Sequence, residues 1–144
     1  MSNDGKYILG GDYNGQAFLS TNYGTSFTDI SNIILGGNRF AASMSATGKY
    51  MYFPRNPASG STYWYSSDYG TTWGADLSAS RYTSMSYSGK YVVKPQGTRY
   101  IKISDNYGAT YTTVDTGAAT PFTMYSAISS TGQIITTVSH TRSD

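Results

Sequence analysis

The sequence predicts an all-β protein made of four-stranded antiparallel meanders, the blades of a β-propeller, and three observations predict it. One short motif returns along the chain at a nearly constant interval. A second motif sits inside each full repeat, always in the same order. Between the two lie short segments of alternating β-branched and aromatic residues, and no apolar period of 3.6 runs over helix length.

The first motif is Ser2-Asn3-Asp4-Gly5-Lys6-Tyr7, which returns as Ser45-Ala46-Thr47-Gly48-Lys49-Tyr50 and as Ser86-Tyr87-Ser88-Gly89-Lys90-Tyr91. A weaker copy is Ser129-Ser130-Thr131-Gly132-Gln133-Ile134. Its glycines are spaced 43, 41 and 43 residues apart, which sets repeats at roughly 2–44, 45–85, 86–128 and a partial 129–144 within one domain. The second motif reads Ser20-Thr21-Asn22-Tyr23-Gly24-Thr25-Ser26-Phe27, then Ser66-Ser67-Asp68-Tyr69-Gly70-Thr71-Thr72-Trp73, then Ser104-Asp105-Asn106-Tyr107-Gly108-Ala109-Thr110-Tyr111. Its chemistry is that of a tight turn. Asn22, Asp68 and Asn106 tolerate left-handed geometry and are expected to bond their own backbone two residues on. Gly24, Gly70 and Gly108 supply positive φ. Phe27, Trp73 and Tyr111 are expected to cover the hairpin with a buried ring. A motif present three times is structural, since a single active site does not repeat.

The second motif resembles the Asp-box, or BNR repeat, S-x-D-x-G-x-T-W/F, found in sialidases and in many other β-propellers. The middle copy matches at every consensus position, while Asn22 and Asn106 replace the Asp and Tyr111 replaces the terminal Trp or Phe. The resemblance implies the sialidase-like group of propellers and covers nearly the whole chain.

Alignment on the motif Ser places Ala17 and Leu19, Tyr63 and Tyr65, and Ile101 and Ile103 on one strand face. Phe18, Trp64 and Lys102 fall on the other, where only Lys102 is ill-suited to burial between stacked blades. The best-defined blade is expected at residues 40–45, 49–53, 62–66 and 72–76. The chain starts at a second strand, 6–10, and stops after another, 133–139, giving about three and a half blades. A closed ring needs at least about four. Two readings follow. A homodimer closes a six-bladed ring, with the strand at 122–128 lent to a partner's first blade, or the chain is part of a longer propeller.

Composition narrows the function. Only 12% of residues are charged, the net charge is +2, and all eight acidic residues are Asp. Lys and Arg form no run, so nucleic acid is not an expected partner. No cysteine is present, which removes thiolate metal sites and disulfides, and a lone His140 does not make a metal cluster, so no cofactor is expected. No apolar stretch approaches the ~20 residues of a membrane span. The hydroxyl- and Tyr-rich make-up suits an extracellular or virion-surface setting, including a structural role there.

Strand alternation sorts the loops into two ends. The two motifs share one end and barely change in length. Loops at the other end vary, and variable loops on a rigid scaffold are where binding concentrates. The candidate ligand residues there are Asp12, Tyr13, Asn14, Arg39, Arg55, Asn56, Arg81, Gln96 and Arg99. Arginine pairs well with carboxylate or phosphate, whereas Asp12-Tyr13-Asn14-Gly15 also reads as a hairpin turn. The resemblance implies, for sialidases, an arginine triad, a Tyr nucleophile assisted by Glu, and an acidic Asp. This chain has five arginines and no Glu, and its Asp residues fall mainly in turns. The expectation is therefore a non-catalytic module that binds glycans or protein partners, with a sialidase-like glycosidase as the alternative.

Overall fold

A computed structural model describes residues 1–12, 15–34, 42–54, 63–76, 82–96, 99–117 and 125–138. Among these residues the regular elements are all strands: β1 (Ile8–Gly11), β2 (Ala17–Ser20), β3 (Thr28–Asp29), β4 (Ser43–Met44), β5 (Met51–Pro54), β6 (Tyr63–Ser66), β7 (Gly74–Asp76), β8 (Ser84–Met85), β9 (Val92–Gln96), β10 (Tyr100–Ser104), β11 (Thr112–Asp115), β12 (Tyr125–Ile128) and β13 (Ile135–Val138). They form three antiparallel meanders, β1-β2-β3, β4-β5-β6-β7 and β8-β9-β10-β11, and a hairpin, β12-β13. The fold is all-β and blade-like, as the repeats predict. The first two sheets belong to one compact unit, Met1–Ala79, and the last two to another, Ser80–Asp144.

The strands are shorter than the sequence suggests. In the second blade, 49–53 and 72–76 shrink to Met51–Pro54 and Gly74–Asp76. Turn side chains claim the missing positions: the Lys49 amide donates to Thr47 Oγ1 at 3.3 Å and the Thr72 amide to Asp68 Oδ1 at 2.9 Å. Residues 40, 41 and 62 of the expected strands, and 122–124 and 139, lie outside the described residues.

Register confirms the two faces. In the first unit Leu9 pairs with Leu19 and Gly11 with Ala17, so these residues share what we call the front face, while Gly10 and Phe18 share the back. In the second blade Met51, Phe53 and Trp64 form the back and Tyr52, Tyr63 and Tyr65 the front. The core joins one front to the next back: Ala17 and Leu19 bury against Met51 and Phe53, with Leu9, Trp64 and Trp73 packed around them. The second unit repeats this scheme, with Val93, Ile101 and Ile103 on the front of one sheet meeting Ile128 and Ile135. Removing such faces from water stabilises each unit by roughly 25 cal/mol per Å² of apolar surface.

Two features depart from expectation, and a third carries no signal in the sequence. The buried lysine is Lys94, 1% exposed, and not Lys102, which is half-buried beside it on β10. Lys94 sits within the long central strand β9, and its ammonium lies 4.3 Å from the centre of the Tyr111 ring, a cation–π contact that offsets desolvation. Phe27 is 51% exposed and does not cover its hairpin as a buried ring, whereas Trp73 and Tyr111 are half-buried. Trp73 packs against the first core, and its indole N–H donates to the Gly70 carbonyl at 3.0 Å. Finally, the link after β3 turns inward. The Ile30 amide bonds the Ala17 carbonyl at 2.8 Å, and Ile30 and Ile34 join the first core.

Candidate functional site

The two ends of each blade are built differently, and that difference locates the candidate site. At one end the first motif closes the hairpin into strands β5, β9 and β13 and precedes β1. Its Ser Oγ accepts the amide five residues on, from Tyr7, Tyr50, Tyr91 and Ile134, at 2.9–3.1 Å. The Ser amide returns a bond to the carbonyl of that same residue at 2.8–2.9 Å in all four copies.

The second motif is equally regular. The buried hydroxyls of Ser20, Ser66 and Ser104 accept the Gly24, Gly70 and Gly108 amides at 2.9, 2.9 and 2.8 Å. They donate to Oδ1 of Asn22, Asp68 and Asn106 at 3.0, 2.9 and 2.9 Å. That Oδ1 accepts the amide of Ser26, Thr72 or Thr110, four residues on and not the two expected, because the turn is a wider loop. The left-handed residues also differ from expectation. They are Tyr23, Tyr69 and Tyr107 (φ 60, 64 and 61°), each followed by its glycine, and not the Asn or Asp. A non-glycine residue costs about 1–2 kcal/mol there. Each Tyr amide is held by the carbonyl of Lys6, Lys49 or Lys90 at 2.9–3.1 Å, which ties the two turns of a blade together.

Asp and Asn are interchangeable in this turn because a hydroxyl reverses. Thr72 Oγ1 donates to Asp68 Oδ2 at 2.6 Å, whereas Asn22 Nδ2 and Asn106 Nδ2 donate to Ser26 Oγ and Thr110 Oγ1, both at 2.8 Å. Bonds from the Thr72 side chain first, and its amide second, hold the Asp68 carboxyl below its ordinary value of 3.8. A lowered folded value means that Asp68 adds stability above the ordinary Asp range and loses it as pH falls through the folded value. Asp68→Asn should therefore leave stability at neutral pH nearly unchanged and flatten the acid limb below about pH 4. Asp68→Ala should lower stability by about 1–2 kcal/mol at pH 7. Thermal melts from pH 2 to 7 check both, and an unchanged acid limb in the Asn variant would show that Asp68 is not held this way.

The opposite end carries the variable loops. Asp12 closes the β1–β2 hairpin: its Oδ1 accepts the Gln16 amide at 2.7 Å, and its own amide bonds the Gln16 carbonyl at 3.1 Å. Arg99, after β9, forms a two-pronged ion pair with Asp115 at the end of β11, with Nε donating to Oδ1 at 2.8 Å and Nη2 to Oδ2. Its carbonyl accepts the Thr116 amide at 2.9 Å, so Arg99 fastens one loop to the next. Arg99 holds the Asp115 carboxyl below the usual range. Gln96, half-buried, ends β9 at the same edge. Tyr13, Asn14, Arg39, Arg55, Asn56, Arg81 and His140 lie outside the described residues. One feature that the sequence pattern does not reveal is a shallow recess of about 490 Å³ lined by Gly10, Gly11, Asp12, Phe18 and Phe27. The small Gly10, on the same face as Phe18, is its one trace in the sequence.

No described residues cluster as metal ligands, and none of the described segments is a helix long and apolar enough to cross a membrane. No known family matches the sequence, and no curated protein does either. Solved structures do resemble it. YCF48 bound to D1 peptide superposes with a TM-score of 0.60 at 12% identity over 78% of this chain and 38% of its own. An ancestral GH74 enzyme gives 0.66 at 12% identity over 89% of this chain and 19% of its own. The GH74 enzyme of Niastella koreensis gives 0.60 at 22% identity over 79% and 17%. All three are propeller proteins, and the likeness establishes the propeller fold of this chain. The chain spans about two-fifths or less of the length of each.

Proposed function

We propose that this chain is an Asp-box propeller segment that binds glycans or protein partners through its variable-loop end and does not catalyse a reaction. The observation that carries this reading is the engagement of the carboxylates. Asp4, Asp12, Asp29 and Asp68 each accept a nearby turn amide, and Asp115 is clamped by Arg99. Glycosidases of the usual kind need a pair of carboxyl groups at a set separation facing one sugar, and carboxylates used to brace turns are poorly placed for that. A similar fold bound to a peptide in one solved structure, and borne by GH74 enzymes in others, is compatible with either polymer as ligand.

By strand order the sequence also assigns Arg39, Arg55 and Arg81 to the loop end, and their forked donors suit carboxylate or phosphate groups. Arrays of neutral and acidic oligosaccharides and of extended peptides, probed with labelled protein, test the reading. Binding should weaken about tenfold or more, ~1.4 kcal/mol, when Arg39 or Arg81 becomes Ala. Lys49→Ala, at the opposite end, should leave it unchanged. Release of sugar from a fluorogenic sialoside or glucoside by the intact chain would overturn the non-catalytic reading in favour of a hydrolase.

A further inference from the structure

We propose that Tyr82 and Tyr125 are an oxidative cross-linking site, at which a haem peroxidase fed by hydrogen peroxide joins the two rings as dityrosine and staples the β8–β11 sheet to the β12–β13 hairpin. This inference is independent of the ligand reading. The two residues hold equivalent places in successive repeats, each four positions before a first-motif serine, Ser86 or Ser129. The preceding repeat has Ala41 at that place, so the turn chemistry of the repeat does not demand a tyrosine. The ring centroids of Tyr82 and Tyr125 lie 4.1 Å apart with their planes 35° from parallel, and the two hydroxyls share a hydrogen bond of 3.0 Å. Two other tyrosine pairs are looser, Tyr7 with Tyr69 at 5.2 Å and Tyr52 with Tyr65 at 4.9 Å.

Dityrosine joins the ring carbons adjacent to the two hydroxyls, and those are the edges that a hydroxyl–hydroxyl bond draws together. The elements carrying the rings are also held against each other beyond them. Ser84 Oγ and Ser126 Oγ lie 3.4 Å apart, and at the motif end the Tyr87 amide donates to the Ser130 carbonyl at 3.0 Å. Tyr91 covers Gly132 so closely that an added Cβ there would strike its ring. Holding two reacting groups in fixed contact replaces a rare encounter by a step within one molecule.

In the reaction each phenol gives one electron to the oxidised haem and its hydroxyl proton to water. The two tyrosyl radicals pair their electrons in one carbon–carbon bond, and the hydrogen on each joined carbon moves to the neighbouring oxygen, restoring both phenols. Two electrons and two protons leave in all, and they reduce one hydrogen peroxide to two waters. The oxidation is an electron transfer, so it does not require bare rings. A chain with 15 tyrosines and no cysteine can form this staple and no disulfide. The link closes a loop between residues 43 positions apart, which restricts the unfolded chain as a disulfide does.

The intact chain, treated in dilute solution with a haem peroxidase and hydrogen peroxide, should remain a monomer, lose the mass of two hydrogen atoms and gain dityrosine fluorescence. Proteolysis should release one joined peptide that contains Tyr82 and Tyr125. The melting temperature of the linked chain should rise by roughly 10 °C. Tyr82→Phe and Tyr125→Phe each keep the ring, and each should abolish the joined peptide with unchanged circular dichroism, whereas Tyr69→Phe should leave its yield intact. Joined peptides that map mainly to other tyrosines overturn the proposal, as does an undiminished yield in either of the first two variants. So does a treated chain that contains no dityrosine, or one that carries it only in linked dimers.

Discussion

Phe53→Ala is expected to destabilise the first unit by about 3–5 kcal/mol, the range for deleting a buried aromatic ring. Phe53 is 1% exposed, and its ring reaches the backbone of the neighbouring sheet, where an added Cβ at Gly11 would stand 2.5 Å from Phe53 Cζ. The absence of a side chain at Gly11 is therefore what lets the ring approach the neighbouring strand. Truncation leaves a cavity that the paired strands on either side cannot close, because β5 is fixed by register to both β4 and β6. Phe53→Leu should cost less than half as much, since most of the volume stays. Denaturant melts give the comparison. A loss below about 1 kcal/mol for the Ala variant would place Phe53 outside the cooperative core.

Gly70→Ala is expected to cost about 2–4 kcal/mol, summing left-handed strain and overpacking. Gly70 has φ +81°, and a Cβ there would collide with Leu19 Cδ2 of the adjacent sheet. Leu19 has little room to retreat, because it is buried with Met51 and Phe53 around it. The two contributions separate in a double-mutant cycle. Combining Gly70→Ala with Leu19→Ala should remove the collision and leave only the backbone strain, so the double variant should be more stable than the sum of the single effects predicts. Strict additivity would mean that the glycine is required for its conformation alone. Gly5→Ala is the matching control, with φ +76° and open space around its Cβ, and should cost only about 1–2 kcal/mol.

The repeats, the all-β class, the two strand faces and the two kinds of loop are legible in the sequence, for a physical reason. Turn chemistry is local. Ser45 reaches an amide five residues away and Ser66 one four residues away, so the bonds that fix these turns are encoded within a single motif. Strand alternation is equally local, which is why Ala17 and Leu19, or Ile101 and Ile103, fall on one face when aligned on the motif serine. What escapes the sequence depends on neighbours. Asp68 and Tyr69 exchange expected roles because the second turn leans on the Lys49 carbonyl of the first. Lys94 carries no local signal because its partner ring, Tyr111, lies seventeen positions away in sequence and beside it only after β9, β10 and β11 form.

Candidate binding residues divide in the same way. The sequence alone placed Asp12, Gln96 and Arg99 at the variable-loop end, because strand polarity fixes the end at which each loop emerges. Only the tertiary structure turned Arg99 into a clamp on Asp115, since that role requires groups 16 residues apart to meet, whereas the bond from the Gln16 amide to Asp12 is local and belongs to the hairpin turn that the sequence suggests. The burial of the ring that ends the second motif is likewise beyond the sequence. Phe27 and Trp73 occupy equivalent motif positions, and what differs is whether another sheet covers them. The sequence determined each blade through bonds a few residues long, and only packing between sheets decided which apolar residues the cores enclose.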